Sequence, residues 1–303
     1  MLRRQKIVSG GAGLIILAAL GVGYLVGRHG LAEYPIVVEV ADVRPTYSSG
    51  LQTKEYFDRA YDEAQGTPVA GVMSGLSAHH LLIGSDIATV FEDLASDEVK
   101  TVVLVSPNHF ARGRSVAQVS KGQWSTPYGT VMTDDDAVDE LLAANLMLRH
   151  EEVAYENEHG IFGLTPFVKR SFPNAKIVSI ILDDRLSAED AWQLGQEIAS
   201  TLPKAVLIAS VDMTHYHDVD YTAANDEKVL QLLADGGMCG VTPCTAELDV
   251  DSNASLRVLF GFNAEHGAQS WYLTHHGSSL AMGATRDWHD NTSHILGYFL
   301  GNK

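Results

Sequence analysis

Three apolar segments of the sequence are each followed closely by a histidine. Residues 69–73 precede His79, residues 101–105 precede His109, and residues 205–209 precede His215. Short aliphatic segments bounded by turn residues are typical of buried strands. Because ligands of open α/β sheets bind beyond the carboxyl ends of the strands, we expect the three imidazoles at one edge of one sheet. Imidazoles gathered in this way can bind a transition metal ion or transfer protons.

The composition predicts a folded domain with a large core and argues against one class of partner. The chain has 303 residues, of which 46% are hydrophobic, and it carries a formal net charge of −17. A protein that binds nucleic acid through phosphates needs a basic surface, so we expect no nucleic-acid partner. The 13 histidines, several of them in close pairs such as 79/80 and 275/276, add to the expectation of a metal. The oligomeric state is not specified by these features.

The first 29 residues are predicted to form a membrane anchor. A basic head at residues 1–6 precedes a run of about twenty uncharged, mostly apolar residues, long enough to cross a bilayer as a helix. The basic head favours an amino terminus that stays in the cytoplasm. We therefore predict a single-pass, membrane-anchored protein whose globular domain is extracytoplasmic. A cleaved signal peptide is the alternative.

The rest of the chain is predicted to fold as a single α/β domain. Residues 30–66 form a tether with a short strand at 36–40 and a leading helix at 53–64, and residues 67–303 form the domain. Within it strand-like and helix-like segments alternate, with helices expected at 135–148, 159–172 and 251–262 among others. This alternation is typical of a layered domain with a central, mostly parallel or mixed sheet flanked by helices.

The chain has two cysteines, Cys239 and Cys244. Their spacing fits neither a zinc knuckle nor a redox Cys-x-x-Cys pair. Two interpretations stay open, a small disulfide loop around Gly240 and Pro243 or two unrelated thiols.

Six short motifs follow one another along the domain. They are Ala78-His79-His80-Leu81-Leu82, Ser106-Pro107-Asn108-His109-Phe110, Trp124-Ser125-Thr126-Pro127-Tyr128-Gly129, Glu158-His159-Gly160-Ile161, Ser210-Val211-Asp212-Met213-Thr214-His215-Tyr216 and Asp249-Val250-Asp251-Ser252. Together they resemble the MEMO family, which in bacteria is called AmmeMemoRadiSam system protein B. The resemblance covers residues 69–300 and implies a fold shared with the class III extradiol dioxygenases, non-haem iron enzymes that open catechol rings. It also implies a cluster of three histidines and a cysteine in a surface cleft.

The resemblance places the three family histidines on His79, His109 and His215, with Ala78 standing where the family motif usually has proline. The family cysteine falls near Asp251, and in the dioxygenases the matching position is a carboxylate that completes a two-histidine, one-carboxylate set for Fe(II). We therefore expect His79, His109 and Asp251 to bind a divalent metal, with Fe(II) favoured and Zn, Mn and Cu as alternatives. His215 matches the acid/base histidine of those enzymes.

Neighbouring polar residues are expected to orient the metal ligands through their second ring nitrogens. The candidates are Asp212, Glu158, His159 and Ser210. Asp251 has a rival interpretation, because an aspartate followed by Ser252 and an apolar helix is also a good helix N-cap.

Two functions of different classes are consistent with these residues. The first is a metal-binding protein with a dioxygenase-like cleft, either an oxidoreductase acting on an unknown small molecule or a metal module without turnover. The second is a metal-free interaction domain whose cleft binds a protein or peptide.

Overall fold

The computed structural model describes residues 44–145 and 147–301, so the predicted anchor at 1–29 and the strand at 36–40 lie outside the described residues. Among the described residues, no helix combines the length and the apolar composition that a bilayer span requires. This finding contradicts the predicted localisation of a single-pass, membrane-anchored protein and leaves the membrane contact through an N-terminal helix without support. The domain boundaries at residues 29/30 and 66/67 stay predictions.

An eight-stranded mixed sheet forms the centre of the domain, in the order β12-β13-β2-β9-β3-β8-β4-β7. Its strands are β2 (Val72–Ser77), β3 (Thr101–Pro107), β4 (Ala117–Val119), β7 (Leu148–His150), β8 (Lys176–Leu182), β9 (Val206–Ser210), β12 (Ser270–Ser278) and β13 (Ser293–Leu300). The four central strands β2, β9, β3 and β8 are parallel to one another. Antiparallel pairs join β13 to β2, β12 to β13 and β4 to β8. The predicted α/β class with a mixed sheet is confirmed.

Helices flank this sheet, and two small sheets lie outside it. The helices are α1 (Lys54–Glu63), α2 (Gly84–Asp93), α3 (Asp135–Ala144), α4 (His159–Phe162), α5 (Thr165–Ser171), α6 (Ala188–Thr201), α7 (Val219–Ala234) and α8 (Asn253–His266). The small sheets are β1-β5-β6, from Thr46–Ser48, Gln123–Thr126 and Gly129–Val131, and the hairpin of β10 (Met238–Cys239) and β11 (Thr242–Pro243). A disulfide between Cys239 and Cys244 closes that hairpin, as the first of the two sequence interpretations proposed.

The central strands separate two hydrophobic cores. Along β3, Val103 and Val105 point into one core, with residues of α6 and α8, while Val102 and Leu104 point into the other, with residues of α2 and α5. Side chains on a strand alternate between its faces, so a strand covered on both faces is apolar at every position. This is why the sequence shows β3 as an uninterrupted apolar segment.

Two predicted helices end differently in the structure. The helix expected at 135–148 stops at Ala144, because the side-chain oxygen Oδ1 of Asn145 accepts the backbone N–H groups of Met147 and Leu148, and the chain then continues as β7. The helix expected at 159–172 is divided into α4 and α5. Pro166 lies in the first turn of α5, a position that proline favours because it has no N–H to donate there.

Candidate metal centre

The carboxyl ends of three neighbouring parallel strands converge at one edge of the sheet. β2 leads through Ala78 to His79, β3 leads through Asn108 to His109, and β9 leads to Asp212. The strand order β2-β9-β3 makes these three loops neighbours in space although they are far apart in the chain. The expectation that histidines gather at the carboxyl edge of the sheet is thus met for His79 and His109, whose rings are 4.9 Å apart.

His79 is buried and its ring is fixed by a serine on the next strand. The Ser210 hydroxyl donates to the Gly160 carbonyl at 2.7 Å, and it lies 2.9 Å from Nδ1 of His79. A hydroxyl has a single hydrogen to donate, so Ser210 can only accept from His79 Nδ1–H. The neutral ring therefore carries its proton on Nδ1 and leaves Nε2 with a free lone pair.

His109 is held in the same way by a fully buried carboxylate. Glu158 accepts from Nδ1 of His109 at 2.6 Å and from its backbone N–H at 2.9 Å, and its side chain also caps α4 at the N–H of Gly160. Burial lowers the pKa of His109, but the Asp251 and Glu158 carboxylates outweigh it and raise that pKa to about 10. The Nε2 atom of His109, like that of His79, points away from its orienting partner.

Asp251 lies between the two histidines. Its Oδ2 atom is 3.2 Å from Nε2 of His79 and 3.6 Å from Nε2 of His109. Ser252, and not Asp251, caps α8, since its hydroxyl accepts the backbone N–H of Ser255. Within the described residues, both carboxylate oxygens of Asp251 are buried without a hydrogen-bond partner. Because Ser252 caps the helix, the N-cap interpretation of Asp251 is wrong.

Burial raises the pKa of Asp251.

Two overlapping groups of side chains in the described part of the chain could hold a metal ion. One consists of His79, His109 and His159, and the other of His79, Asp212 and Asp251. The set predicted from the sequence takes His109 from the first, Asp251 from the second, and His79 from both. Ligand atoms about 2.0–2.2 Å from one ion are separated by roughly 3.0–3.5 Å. The contacts of Asp251 with the two imidazoles are close to this spacing.

His159 and Asp212 border these ligands. The ring of His159 stacks on that of His109 at 4.0 Å, and burial together with the neighbouring imidazoles of His109 and His79 lowers the pKa of His159 to about 4. Asp212 accepts the backbone N–H of His79 at 3.0 Å. Burial would raise the pKa of Asp212, but the imidazoles around it hold that pKa well below its usual range.

His215 is placed on the other side of Asp212. Its Nε2 atom is 3.7 Å from Oδ2 of Asp212, which in turn is 3.5 Å from Nε2 of His79. Burial lowers the pKa of His215, and the Asp212 carboxylate outweighs it, so that the pKa is raised. Of the predicted site residues, His215 is the one that contacts the others only through a shared carboxylate.

A cleft of about 710 Å³ opens beside these residues, and its lining includes His79, His159 and Asp212. Tyr216 also lines it, with a side chain that is 74% exposed and a φ of +57°, a conformation that is rare outside glycine. Strained backbone of this kind is concentrated at functional sites.

Sequence reasoning missed one further histidine, His294. It is fully buried at the start of β13, and its Nε2 atom is 3.3 Å from Nδ1 of His80. The planes of the two rings are almost parallel and their centroids are 5.5 Å apart, so the two nitrogens can share one N–H···N hydrogen bond. The sequence feature that could have identified His294 is its position at the start of the apolar segment 294–300.

Comparisons with known proteins agree with the motifs. The sequence model of Memo-like proteins matches residues 77–253. A MEMO1 family protein of Caldivirga maquilingensis is 31% identical over 44% of this chain and 48% of its own length. One of Methanothermobacter thermautotrophicus is 30% identical over 54% and 62%, and one of Pyrobaculum aerophilum is 27% identical over 73% and 80%. The chain thus spans about half to three fifths of the first two relatives.

One solved structure is similar in fold. An uncharacterized protein of Escherichia coli K12 superposes with a TM-score of 0.52 at 15% sequence identity, covering 74% of this chain and 99% of that protein. At this identity the similarity extends to the fold alone.

Proposed function

The chain belongs to the Memo-like family, and on that premise we propose that it binds a divalent metal ion through His79, His109 and Asp251. We further propose that the site serves an oxidoreductase of the dioxygenase type, with His215 as its acid/base. The observation that carries the proposal is the buried carboxylate of Asp251, which lies between two imidazole nitrogens and has no hydrogen-bond partner among the described residues.

The protonation of these three groups supports a cation at their centre. Nδ1 of His79 donates to Ser210, so its Nε2 atom presents a lone pair. Nδ1 of His109 donates to Glu158, and in the metal-free protein the raised pKa of His109 keeps a proton on its Nε2 atom, which a metal ion would replace. A carboxylate is an acceptor only, so Asp251 and the lone pair of His79 repel each other unless a proton or a metal ion lies between them. Two imidazoles and a carboxylate are a ligand set suited to Fe(II), Mn(II) or Zn(II), with Fe(II) favoured for oxygen chemistry.

The residues around these three side chains would hold them in the orientation that metal binding requires. Ser210 and Glu158 orient the two imidazoles and fix their tautomers, a role on which metal affinity commonly depends. The bound ion would supply open coordination positions for a diol-type substrate and for dioxygen. His215, kept basic by Asp212, would take the proton from a substrate hydroxyl at the cleft.

Metal content tests the proposal. The full chain is incubated anaerobically with Fe(II), or with Zn(II), then desalted, and its metal is measured by mass spectrometry. We expect the native protein to retain the metal, and His109→Ala and Asp251→Ala to lose it. His150→Ala is the matched control, because His150 is an exposed histidine paired with Glu152. A native protein that retains no more metal than Asp251→Ala would refute the proposal.

The acid/base role of His215 needs a separate measurement. His215→Gln should leave metal content unchanged and lower the rate of oxygen consumption with a panel of vicinal aromatic diols. A loaded native protein that opens no ring in a broad panel counts against turnover and leaves the metal module. If no metal binds, the cleft is better explained as the metal-free site for a protein or peptide.

A further inference from the structure

We propose that this chain forms a symmetric homodimer in which the edge strand β12 pairs with β12 of a second copy, so that the two central sheets become continuous. This contact would cover one end of the central sheet and would involve none of the proposed metal ligands. It rests on a comparison of the two edge strands, on backbone hydrogen bonding and on charge.

The two edges of the central sheet differ in length and in charge. At one end β7 spans only the three residues Leu148–His150 and carries Arg149. At the other end β12 spans the nine residues Ser270–Ser278 and contains no lysine, arginine, aspartate or glutamate. Natural sheets protect their edges with short strands and charged side chains, because an open edge pairs with other chains. β7 is protected in this way and β12 is not.

The outer backbone groups of β12 have no partner in residues 44–145 and 147–301. β13 pairs with one side of the strand from Ser270 to Ser278. No other backbone hydrogen bond within the described residues reaches residues 270–277. Helices α2 and α7 contact the strand through side chains, where Asp86 pairs with His275 and Asp226 with His276. A row of N–H and C=O groups is therefore available for another strand.

Side chains of β12 add an apolar surface to this edge. Tyr272 and Leu273 are 46% and 48% exposed. Trp271 packs on Phe299 at 5.0 Å, and its indole N–H is buried without a hydrogen-bond partner among the described residues. An indole N–H normally finds an acceptor when it is buried.

Charge selects a second copy of the chain as the occupant. With a net charge of −17, two copies repel each other over most of their surfaces. β12 is a nine-residue stretch in which that repulsion is small, since it contains no lysine, arginine, aspartate or glutamate. Antiparallel pairing of one strand with itself is a two-fold symmetric contact, the commonest arrangement of homo-oligomers. An unrelated acidic or basic partner would find no charge here to recognise.

The test is the mass of the full chain in solution. Analytical ultracentrifugation is carried out up to about 100 µM, where a dimer with a micromolar Kd is populated. We expect a dimer that dissociates on dilution. Leu273→Glu would place two like charges near the two-fold axis and should raise the Kd by about 100-fold. Val241→Glu is the matched control, because Val241 is 94% exposed in the β10–β11 hairpin, and its Kd should equal that of the native chain.

Hydrogen exchange gives a second readout that needs no substitution. Peptides covering 270–278 should exchange more slowly at high than at low protein concentration, whereas peptides covering 148–150 should not change. A chain that stays monomeric at the highest concentration would overturn the proposal. So would a dimer that Leu273→Glu leaves intact, or β12 protection that is independent of concentration.

Discussion

Replacing Asp251 by asparagine should stabilise the metal-free protein and abolish its stabilisation by metal. Both oxygens of the Asp251 carboxylate are buried without a hydrogen-bond partner in residues 44–145 and 147–301, and Oδ2 faces the free lone pair on Nε2 of His79 at 3.2 Å. The asparagine has nearly the same shape, carries no charge, and can turn its NH2 group toward that nitrogen. The substitution thus removes a buried charge and allows a hydrogen bond that the carboxylate cannot make.

The size of the effect follows from the cost of the unpaired group. A buried polar group without a partner costs about 1–3 kcal/mol, and the residual attraction of Asp251 to protonated His109 offsets part of this. We expect Asp251→Asn to raise the free energy of unfolding of the metal-free protein by about 1–2 kcal/mol. For a domain of this size that corresponds to a Tm increase of roughly 3–6 °C.

Thermal unfolding with and without metal measures both parts of the prediction. In excess chelator the variant should unfold at the higher temperature. With metal at 100 times its Kd, the native protein should gain about 2.7 kcal/mol and overtake the variant, which gains nothing. Asp249→Asn is the control, because Asp249 is an exposed carboxylate paired with His217 at 3.0 Å, and its Tm should change little in either condition. A metal-free Asp251→Asn less stable than the native protein would refute the reasoning, since Asp251 would then be a structural residue.

Two further predictions concern groups that orient the proposed ligands, and a third concerns Glu152, a carboxylate away from them. Ser210→Ala removes the acceptor for Nδ1 of His79 and should weaken metal binding about 10- to 100-fold in calorimetric titrations. Ser77→Ala is the control and should leave the Kd unchanged, because among the described residues the Ser77 hydroxyl donates only to the neighbouring carbonyl of Ala78. Glu158→Gln should weaken metal binding to a similar degree, and an unaltered Kd would show that the orienting carboxylate is dispensable. Burial raises the pKa of Glu152, but hydrogen bonds from two hydroxyls and an imidazole outweigh burial and lower that pKa. The ionised carboxylate therefore stabilises the folded state above the unfolded pKa of about 4.3, and this stabilisation is lost as the pH falls through the pKa of the folded state. Urea unfolding should accordingly show a shallower acid loss in Glu152→Gln, together with lower stability at neutral pH.

The sequence predicts central strands better than their neighbours. β3 and β8 are buried on both faces, so every residue in them except Lys176 at the start of β8 is apolar or small, and the segments stand out. β2 was expected at residues 69–73 and lies at Val72–Ser77 instead. Its pattern is diluted by Ser74, which is buried in a hydrogen bond to Asn263, and by Gly75, where a Cβ atom would lie 2.8 Å from a methyl group of Leu94. Ser74 and Gly75 are both required by tertiary contacts, which a local sequence pattern does not reveal.

The same limit applies to the site. His79 and His109 could be identified because each follows a strand, and strand ends of a parallel sheet meet at one edge. The partner of each second ring nitrogen required the fold, since Ser210 reaches His79 from a neighbouring strand and Glu158 reaches His109 across 49 positions of sequence. His294 was missed for a related reason: its contact with His80 joins residues 214 positions apart.

The division of roles between Asp251 and Ser252 links stability to the proposed chemistry. Either residue can cap a helix, and the sequence alone leaves the choice open. In the structure Ser252 satisfies the orphan N–H of Ser255, so capping places no demand on Asp251. A side chain kept only for the fold would be expected to make bonds there, yet this one is buried without any among the described residues. Natural sequences break such local rules mainly where function requires it. The carboxylate has no hydrogen-bond partner among the described residues and lies between Nε2 of His79 and Nε2 of His109, and it is therefore the strongest argument for a cation at this edge of the sheet.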